Sequence, residues 1–329
     1  MNKKFIFITI KIIVSGALIY WILTRVSLEE VFAAMANART GVLVVAFLMY
    51  FVGYSITAIR WRLLLHAQGV EVPLFRLVQS FMVALFFNNF LPSTIGGDAV
   101  RVYDSWRFSG SKTRAVAVVF TDRVFGMLAL MLIATLAAMV SEDVVKLAPN
   151  LQLWLGLILA GLVAVVGAIF FTDKLSHLLL KGLDNAPVGL LRKLGDKLTD
   201  VIQAFHGRHD VASKALGLSI LLQVNVIIHF FLIGYALQLS VPVLAFFVII
   251  PIAIVIMMLP VTINGIGLRE SVFVFLLGAY GVSQADAVAF AWISFGFVIL
   301  QGVVGGVVYA LRNESSSQKD SKMKSTSYK

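Results

Sequence analysis

Two eleven-residue stretches hold the residue types best suited to chemistry. LPSTIGGDAVR at 91–101 aligns without gaps to LPVTINGIGLR at 259–269, with matches at Leu91, Pro92, Thr94, Ile95, Gly97 and Arg101. Their counterparts are Leu259, Pro260, Thr262, Ile263, Gly265 and Arg269. Each copy ends an apolar stretch. Pro92 and Pro260 remove a backbone donor and end or bend the helix, and Gly96, Gly97 and Gly265 allow backbone angles closed to other residues. An opened helix end offers amides, and the N-terminus of a following half-helix attracts anions. Arg101 and Arg269 lie close by, and a guanidinium matches a phosphate in bidentate fashion. Asp98 and Glu270 would balance these arginines or meet a cationic group. The same charges would also serve as plain helix caps at an interface.

A second set of polar residues sits inside apolar runs. Asp122 and Arg123 lie about two turns into the run 115–140. A charge at the membrane centre costs about 2.5–3.5 kcal/mol on insertion scales, so both are expected to face the protein interior. They could form part of a site, or a structural ion pair with a snorkelling Arg123. Asn88 and Asn89 precede the first motif and would line a cavity or bond between helices. Asn225 and His229 stand at i, i+4 without a nearby carboxylate, so packing is expected there and no metal. Arg60 and Arg62 flank Trp61 and read as interface anchors.

The elements that must position these residues follow from composition. Of 329 residues, 60% are hydrophobic and 13% charged, with mean hydropathy +0.93. Soluble domains are about 45–50% apolar and about 25% charged. The apolar excess falls in runs of roughly twenty residues, the length that crosses a bilayer core. The expected fold is an all-α polytopic membrane protein. About six full spans are read at 5–25, 41–65, 115–140, 151–171, 215–237 and 286–311. The first lacks a small-residue cleavage site and reads as an uncleaved span. The stretches 74–97 and 242–282 each contain a Pro-Gly break and read as re-entrant elements.

Charge gives the orientation. Basic residues gather at the N-terminus, in 98–114, in 172–214 and in the tail, which places all four on the cytoplasmic side. The two broken elements then enter from opposite faces. Phe120, Phe125 and Gly126 are spaced like Phe290, Phe295 and Gly296, a faint continuation of the motif match. Inverted repeats with broken helices are a recurring transporter construction. Residues 1–311 read as one transmembrane domain, with an amphipathic cytoplasmic segment in 172–214 and a disordered cytoplasmic tail at 312–329. In that segment Leu191, Leu194, Leu198, Ile202 and Phe205 recur at helical spacing, as for a helix lying on the leaflet or against the bundle. The net charge of +10 is read as loops and tail meeting anionic lipid, with no nucleic-acid partner.

Several classes are excluded. No cysteine is present, so disulfides and thiolate sites are absent. No phosphate-binding glycine loop, nucleophile elbow or HExxH zinc motif occurs. No cofactor, metal or catalytic residue is expected, and the chain is not read as an enzyme.

The segments NNFLPSTIGGDAVRVY, VVFTDRVFGMLALM and LPVTINGIGLRES together resemble the lysylphosphatidylglycerol synthase transmembrane-region family. That family includes the flippase-like domain of the multiple peptide resistance factor and many stand-alone inner-membrane proteins. The resemblance covers most of the chain. It implies a domain that moves lipids, or helps move them, between leaflets of a bacterial inner membrane. By position, it implies roles for Pro92, Gly96, Gly97, Asp98, Arg101, Asp122, Arg123, Pro260, Asn264, Gly267, Arg269 and Glu270. The family's aminoacyl-transferase domain has no counterpart in these residues, so lysyl-lipid synthesis is not expected. The leading expectation is a translocase that binds the phosphorylated head group of a phospholipid or lipid-linked glycan in a central polar cavity. The alternative is a membrane accessory subunit of a lipid-modifying or glycosyl-transferring enzyme.

Overall fold

The computed structural model describes residues 13–22, 24–90, 95–140, 150–171, 181, 199–259, 261–262 and 264–326. Pro92, Pro260 and most of the expected amphipathic segment, including Leu191, Leu194 and Leu198, lie outside these residues. The helices are α1 (Ile13–Ile22), α2 (Leu28–Ala36), α3 (Thr40–Ala67), α4 (Leu74–Phe90), α5 (Ile95–Ser109) and α6 (Lys112–Val140). They continue as α7 (Leu151–Phe170), α8 (His209–Ala236), α9 (Val243–Met258), α10 (Leu268–Gly278) and α11 (Gln284–Thr326). Among the described residues no strand occurs.

Five of the six expected spans, α3, α6, α7, α8 and the Gln284–Arg312 part of α11, are long and apolar enough to cross a membrane. The first span is described from Ile13 to Ile22. Their outward faces are apolar as well. Leu48, Val52 and Ile59 on α3, Trp154 and Leu157 on α7, and Leu300 and Val303 on α11 are all exposed. Such a surface is costly in water and suited to lipid. The molecule is an all-helical polytopic membrane protein.

Each motif lies between two separate helices. α4 and α5 are separated by four residues and pack against each other. α9 and α10 are likewise interrupted, with α9 against α6 and α10 against α11. α3 pairs most extensively with α8, and α11 with α4. α6 packs against both α3 and α5, which brings charged groups of the three helices within reach of one another.

The amphipathic segment takes one of the two placements expected for it. The helical segment 199–205 turns its apolar side to the bundle: Val201 and Phe205 are buried, and the Phe205 ring lies 5.6 Å from that of Phe170. Gln68 Nε2 also donates to the Ala204 carbonyl at 2.6 Å, which fixes the segment on α3. The backbone of α11 stays helical to Thr326, where a disordered tail is expected from residue 312. The Glu, Gln, Lys and Met of that stretch are good helix formers and prolong a helix already nucleated by the span.

Candidate functional site: a charged cavity between the helices

A cavity of about 270 Å³ opens where α3, α4, α5, α6, α8 and α9 meet. Helical spacing explains its walls. Phe81, Ala84, Leu85 and Asn88 recur at i, i+3, i+4 and i+7 on α4, while Thr57 and Arg60 stand three apart on α3. Asp98 and Arg101 occupy one face of the first turns of α5, and Asp122 and Gly126 one face of α6. Ile254 and Met258 from α9 close the far side with apolar surface.

Asp122 is the centre of the charge network. Its Oδ1 accepts from Arg60 Nε at 2.6 Å and its Oδ2 from Arg101 Nη2 at 2.8 Å. Arg60 also donates to Ser219 Oγ at 2.6 Å, tying α3 to α8. The Arg101 guanidinium lies 4.8 Å from the Trp61 ring centre, and Trp61 is held in turn by donating to Ser105 Oγ at 3.0 Å. Side chains of Arg60, Arg101 and Asp122 are 5%, 4% and 2% exposed, so this is a buried triad.

The second carboxylate is differently placed. Asp98 accepts from Arg123 through Nε at 2.9 Å and Nη2 at 2.8 Å, a forked pair. Here exposure is 23% for Asp98 and 44% for Arg123. Arg101 Nη1 lies 3.9 Å from Asp98, so the two pairs are linked. Three guanidiniums against two carboxylates leave the cavity wall one positive charge in excess.

The break itself is built for close approach. Asn88 Oδ1 accepts from the Gly97 amide at 2.6 Å, satisfying a first-turn N–H of α5 from the end of α4. A Cβ at Gly97 would fall 2.6 Å from Asn88 Nδ2 and 2.7 Å from the Ala84 carbonyl oxygen. Gly97→Ala is therefore expected to lower stability by about 1–3 kcal/mol through overpacking. Gly156→Ala on α7, where a Cβ meets nothing within 4 Å, is the control, and thermal unfolding in detergent compares the two. Equal melting of both variants would show that α4 and α5 do not approach this closely.

A family model for the lysylphosphatidylglycerol synthase TM region matches residues 8–305. The chain belongs to that family. It is also similar to a UPF0104 membrane protein of Pyrococcus horikoshii, at 27% identity over 138 residues. That similarity spans 41% of this chain and 40% of the relative. The family residues expected from the sequence divide into two groups within the fold. Gly96, Gly97, Asp98, Arg101, Asp122 and Arg123 come together around the cavity and its entry turn.

The second group gathers elsewhere. Among the described residues, the lining of the charged cavity includes none of Asn264, Gly265, Gly267, Arg269 or Glu270. Asn264, Gly265 and Gly267 have φ of +52°, +76° and +80° and form the turn that enters α10. Glu270 is buried and its Oε2 accepts from the Gly267 amide at 2.8 Å, so it closes the first turn of the helix. Arg269 stacks on Phe295 with 4.4 Å from guanidinium carbon to ring centre. The expectation that Arg101 and Arg269 share one central cavity is thus corrected. The spacing that pairs Phe125 with Phe295 sets Trp292 opposite Asp122, so the second half lacks the acid that holds Arg101.

Arg60 is the residue that sequence reading misplaced. Beside Trp61 and Arg62 it looked like an interface anchor, yet Arg60 is 4% exposed, Trp61 is fully buried, and Arg62 is exposed. Residues i and i+2 on a helix do not share a face. The helical phase carries the signal: Gly53, Thr57, Arg60 and Leu64 form one inward stripe. Asp104 was also missed. It accepts the forked Arg312 guanidinium at 2.9 and 3.0 Å, and Ser80 donates to the same carboxylate, which anchors α11 to α4 and α5.

Proposed function

We propose that this chain is an inner-membrane translocase for a phospholipid or lipid-linked sugar, holding the phosphorylated head group in the charged cavity. The observation that carries this reading is the single excess positive charge in a half-apolar cavity with a partly exposed guanidinium. A phosphodiester brings one negative charge and would neutralise it. Intramembrane charges are costly, and five of them around one cavity are far more than packing requires. Arg123 is the first contact in this reading, because it is the exposed member; Arg101 supports it from below with an Nε that has no partner among the described residues. Asp98 competes with the phosphate for Arg123 and so keeps binding reversible.

The topology belongs to the same reading. The interrupted pairs α4–α5 and α9–α10 would be re-entrant elements of an inverted repeat, entering from opposite faces, with both termini cytoplasmic. α9 contributes Ile254 and Met258 to the cavity, so movement of one broken element against the other would change access to the head group.

Arg123→Ala is expected to slow exchange of labelled anionic phospholipid between leaflets of proteoliposomes at least tenfold. A melting temperature close to the wild type would separate this loss from unfolding. An unchanged exchange rate would remove the head-group role. Inactive wild-type proteoliposomes, with co-purification of a lipid-modifying or glycosyl-transferring enzyme, would instead favour the accessory-subunit reading.

A further inference from the structure

A second cavity of about 230 Å³ lies beside the first, and Thr57, Phe81, Leu85 and Leu222 form walls of both. Its exposed surface is almost wholly apolar; of the polar side chains on its wall, which include Tyr50, Tyr54, Thr57 and Asn225, two carry buried polar atoms without a hydrogen-bond partner among the described residues. His229 is 3% exposed and its Nδ1 lies 2.8 Å from the Ala46 carbonyl oxygen. A carbonyl oxygen can only accept, so Nδ1 carries the proton, and the neutral ring presents a lone pair at Nε2. Nε2 is buried without a hydrogen-bond partner among the described residues. Gln301 is 7% exposed; its Oε1 accepts from the Tyr54 hydroxyl, which leaves the amide nitrogen as a donor. That nitrogen also lacks a partner within hydrogen-bond geometry among the described residues, although the Tyr50 hydroxyl is close to the amide.

Both groups are rigidly held. The His229 ring is packed by Tyr50 at 4.2 Å, Phe230 at 5.1 Å and Phe297 at 5.9 Å between ring centres. An unpaired buried acceptor and an unpaired buried donor each carry a desolvation cost. A hydroxyl carries the complement of each, a donor for the imidazole and an acceptor for the amide. The rest of the wall, with Met49, Phe230 and Leu85, suits the carbon atoms that carry such a hydroxyl.

We propose that this cavity is a subsite for a neutral hydroxyl-bearing group of the same ligand whose phosphate sits in the charged cavity. The subsite rests on that phosphate reading. Its polar contacts are His229 and Gln301, and Thr57, Phe81, Leu85 and Leu222 border both cavities.

The test uses two short-chain lipids of equal shape and charge, dioctanoyl phosphatidylpropanol and its 2-hydroxyethyl counterpart. They differ only in a terminal methyl against a hydroxyl. Titration of the purified full-length protein in detergent by calorimetry is expected to show the hydroxyethyl lipid binding about tenfold more tightly, as two buried hydrogen bonds allow. His229→Phe and Gln301→Leu are each expected to remove the advantage of the hydroxyethyl over the propyl lipid. A melting temperature close to the wild type reports a folded protein. Equal binding of both lipids by the wild type would overturn the hydroxyl subsite and leave the phosphate site standing; the cavity would then hold water only. Binding of neither lipid above a phosphatidylcholine background would overturn the phosphate site and the subsite with it.

Discussion

Asp122→Ala is expected to lower the unfolding free energy by about 3–5 kcal/mol, the usual cost of stranding the partners of a buried ion pair. Both oxygens of Asp122 are used, one by Arg60 and one by Arg101, and all three groups are almost fully buried. Removing the carboxylate leaves two guanidiniums facing each other with little water to screen them. Chemical or thermal unfolding in detergent micelles gives the measurement. The triple variant Arg60→Met, Arg101→Met, Asp122→Leu separates charge from packing. It is expected to recover most of the lost stability, because apolar groups of similar volume often replace a buried ion pair at little cost. It should not recover lipid exchange. If Asp122→Ala melts with the wild type, the triad is wetter than its burial indicates.

Gly305→Leu is the second large effect. α11 crosses α4 so closely that a Cβ at Gly305 would overlap the Met82 carbonyl oxygen and lie 3.2 Å from Phe86 Cβ. A backbone carbonyl cannot swing aside as a side-chain tip can. The two helices must separate, and small residues at such crossings are what lets membrane helices pack. A loss of at least about 2 kcal/mol is expected, at the upper end of overpacking costs. The separation would also stretch the Arg312–Asp104 fork at the end of α11. A disulfide between engineered cysteines on α4 and α11 should form in the wild-type background and fail in the variant. Undiminished cross-linking would show that the crossing adapts without separation.

The span positions were legible because each is a local property. A run of about twenty apolar residues has few alternatives to a membrane helix, whatever surrounds it. The ends of α4 and α9 at the motifs were legible for a similar reason, because Pro and Gly act on their own backbone. Gly97 illustrates the limit of that reading. Its conformational freedom was apparent, but its use here is close approach to Asn88 and Ala84, residues of a different helix.

Charges inside spans pointed to a site without naming its members. Asp98, Arg101, Asp122 and Arg123 were candidates because ionisable groups in apolar runs are costly, and the fold does bring them together. Pairing was not legible. Asp98 takes Arg123 more closely than Arg101, and Asp122 takes Arg60, which lies 62 residues away on α3. Nothing local distinguishes an inward Arg60 from an outward Arg62 except helical phase. The match between the two motifs also suggested equal roles for Arg101 and Arg269. Their environments differ because each contact comes from another helix: Asp122 and Trp61 in one case, Phe295 in the other.

By itself the sequence determined a polytopic helical membrane protein, the positions of five of its spans, the ends of α4 and α9 at the motifs and the pool of charged candidates. Each of these depends on residues near in the chain. Only the tertiary structure decided which arginine meets which carboxylate, that Glu270 closes a helix turn, and that the second motif stands apart from the charged cavity. It also decided that His229 and Gln301, 72 positions apart, border the same apolar space. Ion pairs and cavities are made where helices cross, and a crossing joins residues that the order of the chain keeps apart.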